Sequence, residues 1–338
     1  LCTACRRLVL GGFITAQNGA MPLNVQALTA LLGTPGLTDL LINGPTDAFA
    51  DFGAGLRRVE HPCPDAGQLA EIARWMIALA DRHLDFANPF ADCVVSSAQL
   101  GVAQHASFRM HAVLGSASSR DTLLSIRRHN LERVTLDSFI GGRLELAAWL
   151  HELVAEKSNF LISGATGSGK TSLLGALVSS ARDERVIAVE DVSELSASNG
   201  HFVSLQTRQA NTEGRGEVGL EKLVREALRM RPDRLLVGEI RGSEMLTFIN
   251  ALNTGHKGAG GTIHANSASA VATRIETIGL QAGWNPAAVA ASAAEAIDVV
   301  IHLEKKSGRR LISQVSRLSL NRRGHLTTVP VDSLQGFL

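Results

Sequence analysis

The residues best equipped for chemistry are one short run, Gly164-Ala165-Thr166-Gly167-Ser168-Gly169-Lys170-Thr171, followed by Ser172. It satisfies G-x-x-x-x-G-K-[ST] at every defined position, with an apolar strand pattern before it and a helical pattern after it. Glycines let such a loop wrap closely, so that backbone N–H groups converge on a phosphate, and the helix N-terminus adds partial positive charge at the same point. The Lys170 ammonium suits the β- and γ-phosphates and the Thr171 hydroxyl suits Mg²⁺. ATP and Mg²⁺ are therefore the expected cofactors, bound by residues 164–172.

Hydrolysis asks for more than binding: one carboxylate to orient or deprotonate water and another to serve the metal shell. Two acidic positions follow apolar strand patterns. The first is Glu190-Asp191-Val192-Ser193-Glu194, after Val186 to Val189; the second is Glu239, which ends Leu235-Leu236-Val237-Gly238-Glu239. The latter fits a Walker B element with Glu in place of the usual Asp, reaching Mg²⁺ through water. Both also read as ordinary solvated acids, on a surface loop and at a strand end. A glycine-rich segment, Gly255 to Gly261, feeds Thr262-Ile263-His264, which makes His264 either a γ-phosphate sensor or a structural histidine.

These groups need a scaffold that holds strand ends side by side. From Phe160 onward apolar strands alternate with helices: strands at 160–163, 186–189, 235–237 and 261–264, helices at 170–181 and 220–230, the latter stopped by Pro232. That order predicts an α/β fold, a RecA-like domain with a mainly parallel sheet and helices on both faces. Two helices and a strand meander (299–303, 311–318, 325–329) follow. Upstream, a helix over 25–32, strands at 37–43 and 48–52, a helix over 68–84 and short strands from Cys93 to Val113 and over Leu123 to Arg127 read as a smaller α+β domain. The expected organisation is a segment 1–20 without clear pattern, an N-terminal domain 21–134, a linker 135–143 and an ATPase domain 144–338.

Bulk properties narrow the partners. The chain has 338 residues, is 45% hydrophobic and carries a formal net charge of +1, so no global field recruits nucleic acid or an anionic membrane. Aromatic residues are 4% and Tyr is absent, which argues against a base-stacking surface. Cys2 and Cys5 form a C-x-x-C without a second pair at zinc-ribbon spacing, so free thiols are expected there and at Cys63 and Cys93. No apolar run is long enough to span a bilayer, and the Ala-rich stretch 286–301 is interrupted by Glu295 and Asp298. Arg6 and Arg7 before Leu8 to Ala16 loosely mimic a signal peptide, but a downstream ATP site implies a cytoplasmic protein.

Taken together, these elements resemble the type II/type IV secretion ATPase superfamily, most of all its Tad (Flp) pilus, CpaF-like branch. The likeness runs through Thr38-Asp39-Leu40-Leu41-Ile42-Asn43-Gly44, Leu124-Ser125-Ile126-Arg127-Arg128, Ala227 to Arg234, Val237 to Gly242 and Thr262 to Ser267. The resemblance implies that Glu190 to Glu194, including Asp191, is an Asp box whose Glu194 is the general base, that Glu239 is the Walker B acid and that His264 is the His box. It implies phosphate contacts from N-terminal arginines, matched best by Arg109 and Arg127 with Arg120 and Arg128 nearby, and a subunit interface using Arg229, Arg231 and Arg241. It also implies a homohexameric motor working on an inner-membrane platform protein at the cytoplasmic face. Residues 1–20 have no match in that pattern, and 96–104 replaces a compact strand turn. A nucleic-acid motor, a non-hydrolysing ATP switch and a zinc- or redox-regulated variant are the rival readings.

Overall fold

The computed structural model describes residues 22, 25–63, 65–103, 106–115, 120–130, 134–195, 197–208, 215–306 and 309–331. They fall into two compact units divided after Glu132. The segment expected at 1–20, with Cys2 and Cys5, lies outside the described residues.

In the first unit α1 (Val25–Leu32) precedes β1 (Asp39–Asn43), β2 (Asp47–Asp51) and β3 (Leu56–Arg58). Then come α2 (Ala66–Ala78), β4 (Phe90–Ser96), α3 (Ser97–Leu100), β5 (Ala106–Val113) and β6 (Leu123–Asn130). The strands form one antiparallel sheet in the order β3-β2-β1-β6-β5-β4. Alternate residues such as Leu40, Ile42, Phe108, Met110, Leu124 and Ile126 turn inward onto α1 and α2, as a period of two requires. Asp65 caps α2 by accepting the Gln68 N–H at 2.7 Å. The helix ends at Ala78 rather than near Leu84, because Asp81 takes a left-handed turn at φ 55°. Where a replaced strand turn was expected, Ser96 and Gln99 form a capping box that starts α3. Cys63 and Cys93 are buried free thiols, and burial pushes Cys93 up to about 12.

The second unit opens with α4 (Asp137–Ile140), α5 (Leu144–Ala155), β7 (Phe160–Gly164), α6 (Lys170–Val178), β8 (Val186–Glu190) and β9 (Phe202–Gln206). It continues with α7 (Leu220–Arg229), β10 (Arg234–Ile240), α8 (Glu244–Asn253) and β11 (Gly260–His264). It ends with α9 (Ala268–Gln281), α10 (Pro286–Ala296), β12 (Val299–Lys306), β13 (Arg309–Leu320) and β14 (Leu326–Pro330). The sheet order is β14-β13-β12-β7-β11-β10-β8-β9. Its six strands from β12 to β9 are mutually parallel, and only the β13–β14 edge is antiparallel. The expected α/β class is what forms. Strand β9 was not foreseen, since Phe202-Val203-Ser204-Leu205-Gln206 is a half-exposed edge without a fully apolar run.

Burial on both faces explains the near-continuous apolar runs of the central strands. Leu161, Ile187, Val189, Leu235 and Val237 pack toward α7 to α10. Phe160, Ile162, Val186, Ala188 and Leu236 pack the other way, against α5 and α6. The stretch 135–142, expected only to connect, carries α4, and its Phe139 and Ile140 are buried in that second core.

One buried cation ties the scaffold together. Arg234, 1% exposed at the start of β10, donates to Glu184 at 2.7 and 3.1 Å, to the Val154 carbonyl at 2.6 Å and to the Gly258 carbonyl at 3.3 Å. It thus joins the end of α5 and the approaches to β8 and β11. Because breaking such a pair strands a charge, Arg234→Ala should lower the unfolding free energy by about 3–5 kcal/mol. Denaturant unfolding beside wild type measures this, and a change within about 0.5 kcal/mol, as at a plain surface site, would refute the role.

Candidate nucleotide site

Parallel strands bring their carboxyl ends to one edge, and the register shows which. Gly164 of β7 lies beside His264 of β11 on one side and Leu303 of β12 on the other. Next along, β10 pairs with β11 irregularly between Val237 and Ile240. Such a bulge re-aims side chains, and here it holds Gly238 and Glu239. Thr262, buried on β11, secures it by donating its hydroxyl to the Gly238 carbonyl at 2.6 Å.

The 164–171 loop joins the end of β7 to the first turn of α6. Gly164 has φ 152°, and a Cβ there would lie 2.6 Å from the Leu303 carbonyl and 2.7 Å from Ser168 Oγ, so only glycine fits. Ala165, Thr166 and Gly167 are exposed, Ser168 and Lys170 are buried, and Gly169, Thr171 and Ser172 are half-buried. Ser168 Oγ is buried without a hydrogen-bond partner among the described residues. A cleft of about 220 Å³ is lined by Thr166, Ser168, Asn266, His302, Leu303 and Lys305 among others. A larger hollow, along the charged side of α7, contains none of the site residues.

Lys170 is the centre of charge. Its Nζ donates to the carbonyls of Gly164 and Ala165, each at 3.0 Å, and lies 3.4 Å from His264 Nδ1. Burial lowers its pKa, offset in part by Glu239 and Glu194. An ammonium only donates, so His264 Nδ1 accepts and the ring proton sits on Nε2. That Nε2 faces Glu239 Oε1 at 2.8 Å. Burial, then the Lys170 charge, lowers the His264 pKa and keeps the ring neutral at pH 7. Burial by itself would raise the Glu239 pKa. The Arg241 hydrogen bond, then the charges of Arg241 and Lys170, outweigh it, so the carboxyl stays below its ordinary value.

Arg241, expected at a subunit interface, binds Glu239 within this chain, and its guanidinium lies 3.5 Å from Asp191. Glu244 fixes the turn beneath it, accepting the N–H groups of Arg241 and Gly242 at 2.6 and 2.8 Å. Burial raises the Asp191 pKa against the pull of Arg241. Glu194 is half-buried and close enough for its charge to act on Lys170. Glu190 is different: it is 2% exposed, and its Oε1 accepts the Glu194 and Leu195 N–H groups at 3.0 and 2.9 Å.

The first unit sets Arg109 of β5 directly opposite Arg127 of β6, both exposed on one face of the sheet. Asp39 of β1 offsets the like charges, accepting from Arg127 Nε at 2.9 Å. Arg128 donates instead to the carbonyls of Leu32 and Thr34 at the end of α1, a structural use. Arg229 pairs with Glu226 and Arg225 with Glu221 along the exposed side of α7. Sequence reading missed Glu244 and His302, a buried β12 residue whose Nδ1 is 2.8 Å from Ser163 Oγ. The opposite charges of Glu239 and Arg241, two residues apart where β10 ends, were a usable signal for their pairing.

The donor set fits a Mg²⁺-nucleotide. The loop holds an unpartnered buried hydroxyl, Ser168, and a glycine cradle, and Thr171 beside Lys170, with Glu239 and Glu194 close enough for their charges to act on Lys170, supplies the hydroxyl and carboxylate types that Mg²⁺ takes. Among the described residues no cluster of three or more His, Cys, Asp or Glu forms a separate metal cage.

Burial raises Glu190 from its ordinary value of 4.5 to about 7, against the two N–H bonds, with Glu194 as its one charged neighbour and Ser204 as its side-chain partner. The folded pKa exceeds the unfolded one, so the fold favours the protonated form. Its contribution is complete below pH 4.5 and is lost as pH rises through about 7. Glu190→Gln, which stays neutral, should therefore melt close to wild type at low pH and above it at pH 8. A melting difference that does not change with pH would contradict this.

A family model described as "Type II/IV secretion system protein" matches residues 29–324. Rv3659c of Mycobacterium tuberculosis (strain H37Rv), which carries a conjugal-transfer name, is 38% identical over 296 residues, 86% of this chain and 83% of its own. The type IV secretion system protein VirB11 of Bartonella quintana is 26% identical, covering 73% and 77%. In fold, the chain superposes on the Legionella pneumophila ATPase DotB with a TM-score of 0.58 at 16% identity, covering 90% and 78%. The match to the pilus retraction motor PilT with bound ADP has a TM-score of 0.61 at 17% identity, covering 92% and 82%. This chain belongs to the type II/IV secretion system protein family.

Proposed function

We propose that the chain is the ATP-hydrolysing motor subunit of a type IV secretion or conjugal-transfer machine. The observation that carries this is the contact chain Lys170–His264–Glu239–Arg241, assembled beside the glycine loop from two strand ends and a helix start. The conjugal-transfer name of the 38% identical relative favours transfer over the pilus branch. Homohexamer formation, docking on an inner-membrane platform protein and a peripheral cytoplasmic position belong to the proposal. They are supported by family membership and by the fact that no helix among the described residues is long and apolar enough to cross a membrane.

Mg²⁺, held by Thr171 and through water by Glu239, would neutralise charge on the β- and γ-phosphate oxygens. The protein's own part is positioning. Loop N–H groups of residues 164–172 bind phosphate oxygens. Lys170 exchanges its two carbonyl partners for phosphate oxygens, which are stronger acceptors. Glu194 takes the proton of the attacking water on its carboxylate. His264, bonded to Lys170 through Nδ1 and to Glu239 through Nε2–H, registers whether Lys170 is engaged by phosphate. Arg109 and Arg127 offer two guanidinium forks on one exposed face of the first unit, a donor geometry suited to phosphate oxygens.

Mg²⁺-dependent turnover that rises with oligomer mass in light scattering is the expected result. Glu194→Gln should lower kcat by about 10²–10⁴-fold with ATP affinity near wild type, as for loss of a general base. Lys170→Ala should lose binding and turnover together. A wild-type protein that assembles and binds ATP without turning it over would move the reading to a switch. Strong stimulation by DNA would move it to a direct nucleic-acid motor.

A further inference from the structure

Glu190 stands in an acidic pentad beside a nucleotide site, yet its surroundings give it a different task. It ends β8, a strand buried along its whole length. Its neighbour on β10 is Gly238, one step beyond the Val189–Val237 pair. A Cβ on Gly238 would come 2.7 Å from Glu190 Cγ and 3.2 Å from Oε1. The Glu190 side chain therefore occupies the space that glycine leaves open.

Both carboxyl oxygens are engaged there. Oε1 accepts the N–H groups of Glu194 and Leu195, and Oε2 lies 3.5 Å from the Ser204 hydroxyl of β9. Ser204 Oγ in turn is 3.1 Å from Ser193 Oγ, within the same turn. One buried carboxyl thus ties the backbone N–H groups of 194 and 195 to the end of β8 and to Ser204 in the middle of β9, passing over Gly238 of β10. A group with both oxygens committed and 2% exposure has no face to present to water or phosphate. The backbone it grips is that of Glu194 itself.

We infer that Glu190 is a positioning residue: a buried acceptor that shapes the 191–195 turn and so aims Glu194, with Gly238 required to be glycine because the Glu190 side chain passes over it. This rests on the reading of Glu194 as the general base. What the turn needs from Glu190 is an oxygen acceptor of the right reach, not a negative charge. Gln supplies that oxygen, and its amide N–H can donate to Ser204 Oγ where the Ser204 hydroxyl now donates to Oε2.

The test is ATP turnover by the full chain with Mg²⁺, alongside nucleotide affinity measured separately. Glu190→Gln should keep kcat within about threefold of wild type, since one acceptor replaces another. Glu190→Ala should lower kcat by about 10²-fold, the scale of a misplaced catalytic group, with nucleotide affinity unchanged. Gly238→Ala, whose methyl displaces the Glu190 side chain, should reproduce that loss and add little in the Glu190→Ala background. If Glu190→Gln loses turnover as Glu190→Ala does, the charge is needed and the inference is overturned. It is overturned equally if both keep full turnover, or if kcat and affinity fall together with the melting temperature. Should Glu190→Ala not fold, Gly238→Ala carries the same split between kcat and affinity. Glu194→Gln separates the two readings: unchanged turnover there sinks the general-base assignment, while the contrast between Gln and Ala at 190 still reports whether Glu190 acts through an acceptor or a charge.

Discussion

A parallel strand cannot be reached by a tight turn, so β8, β10, β11 and β12 are each entered by a crossover and leave, like β7, at the same edge of the sheet. That constraint organises the second unit. Everything chemical is at a strand's carboxyl end or in the residues just after it: the glycine loop after β7, the acidic turn after β8, Glu239 near the end of β10 and His264 at the end of β11. The two faces of the sheet are buried under helices, which leaves that edge as the place where polar groups can converge.

Convergence of charge in a half-buried cleft has to be balanced. Lys170 is bonded to two carbonyls and touches His264, His264 touches Glu239, and Glu239 is shared with Arg241, which also faces Asp191. Signs alternate along the chain of contacts, with a neutral imidazole as the bridge between ammonium and carboxylate. The arrangement keeps Glu239 ionised despite burial and keeps His264 neutral despite its acidic neighbour. Arg234 shows the same economy in the scaffold, a cation buried only because every face of its guanidinium meets an acceptor.

The first unit uses its charges differently. Its sheet has a core on one face, and the other face carries Arg109, Arg127 and Asp39 in a row across three strands. Two like charges side by side cost stability unless something offsets them, and Asp39 does so for one of the pair. Arg128, one residue along and so on the opposite face, is drawn to the end of α1. The alternation of a strand separates a structural arginine from two that remain presented.

What the sequence determined by itself was local. The eight-residue glycine loop carries its own geometry, because the turn, the glycines and the helix start are contiguous. The apolar runs of β7, β8 and β10 and the period of α7 announce themselves for the same reason. What only the tertiary structure decided were the pairings across strands, because the spatial order β12-β7-β11-β10-β8 is not the chain order. Arg241 turns out to belong to Glu239 and Asp191. Glu190, indistinguishable in sequence from the other acids of its pentad, is turned inward by a glycine on β10, 48 residues away by its contact with Gly238. A carboxylate's role depends on what lies within a few ångströms of its oxygens, and in a parallel sheet those neighbours come from strands far apart in the chain.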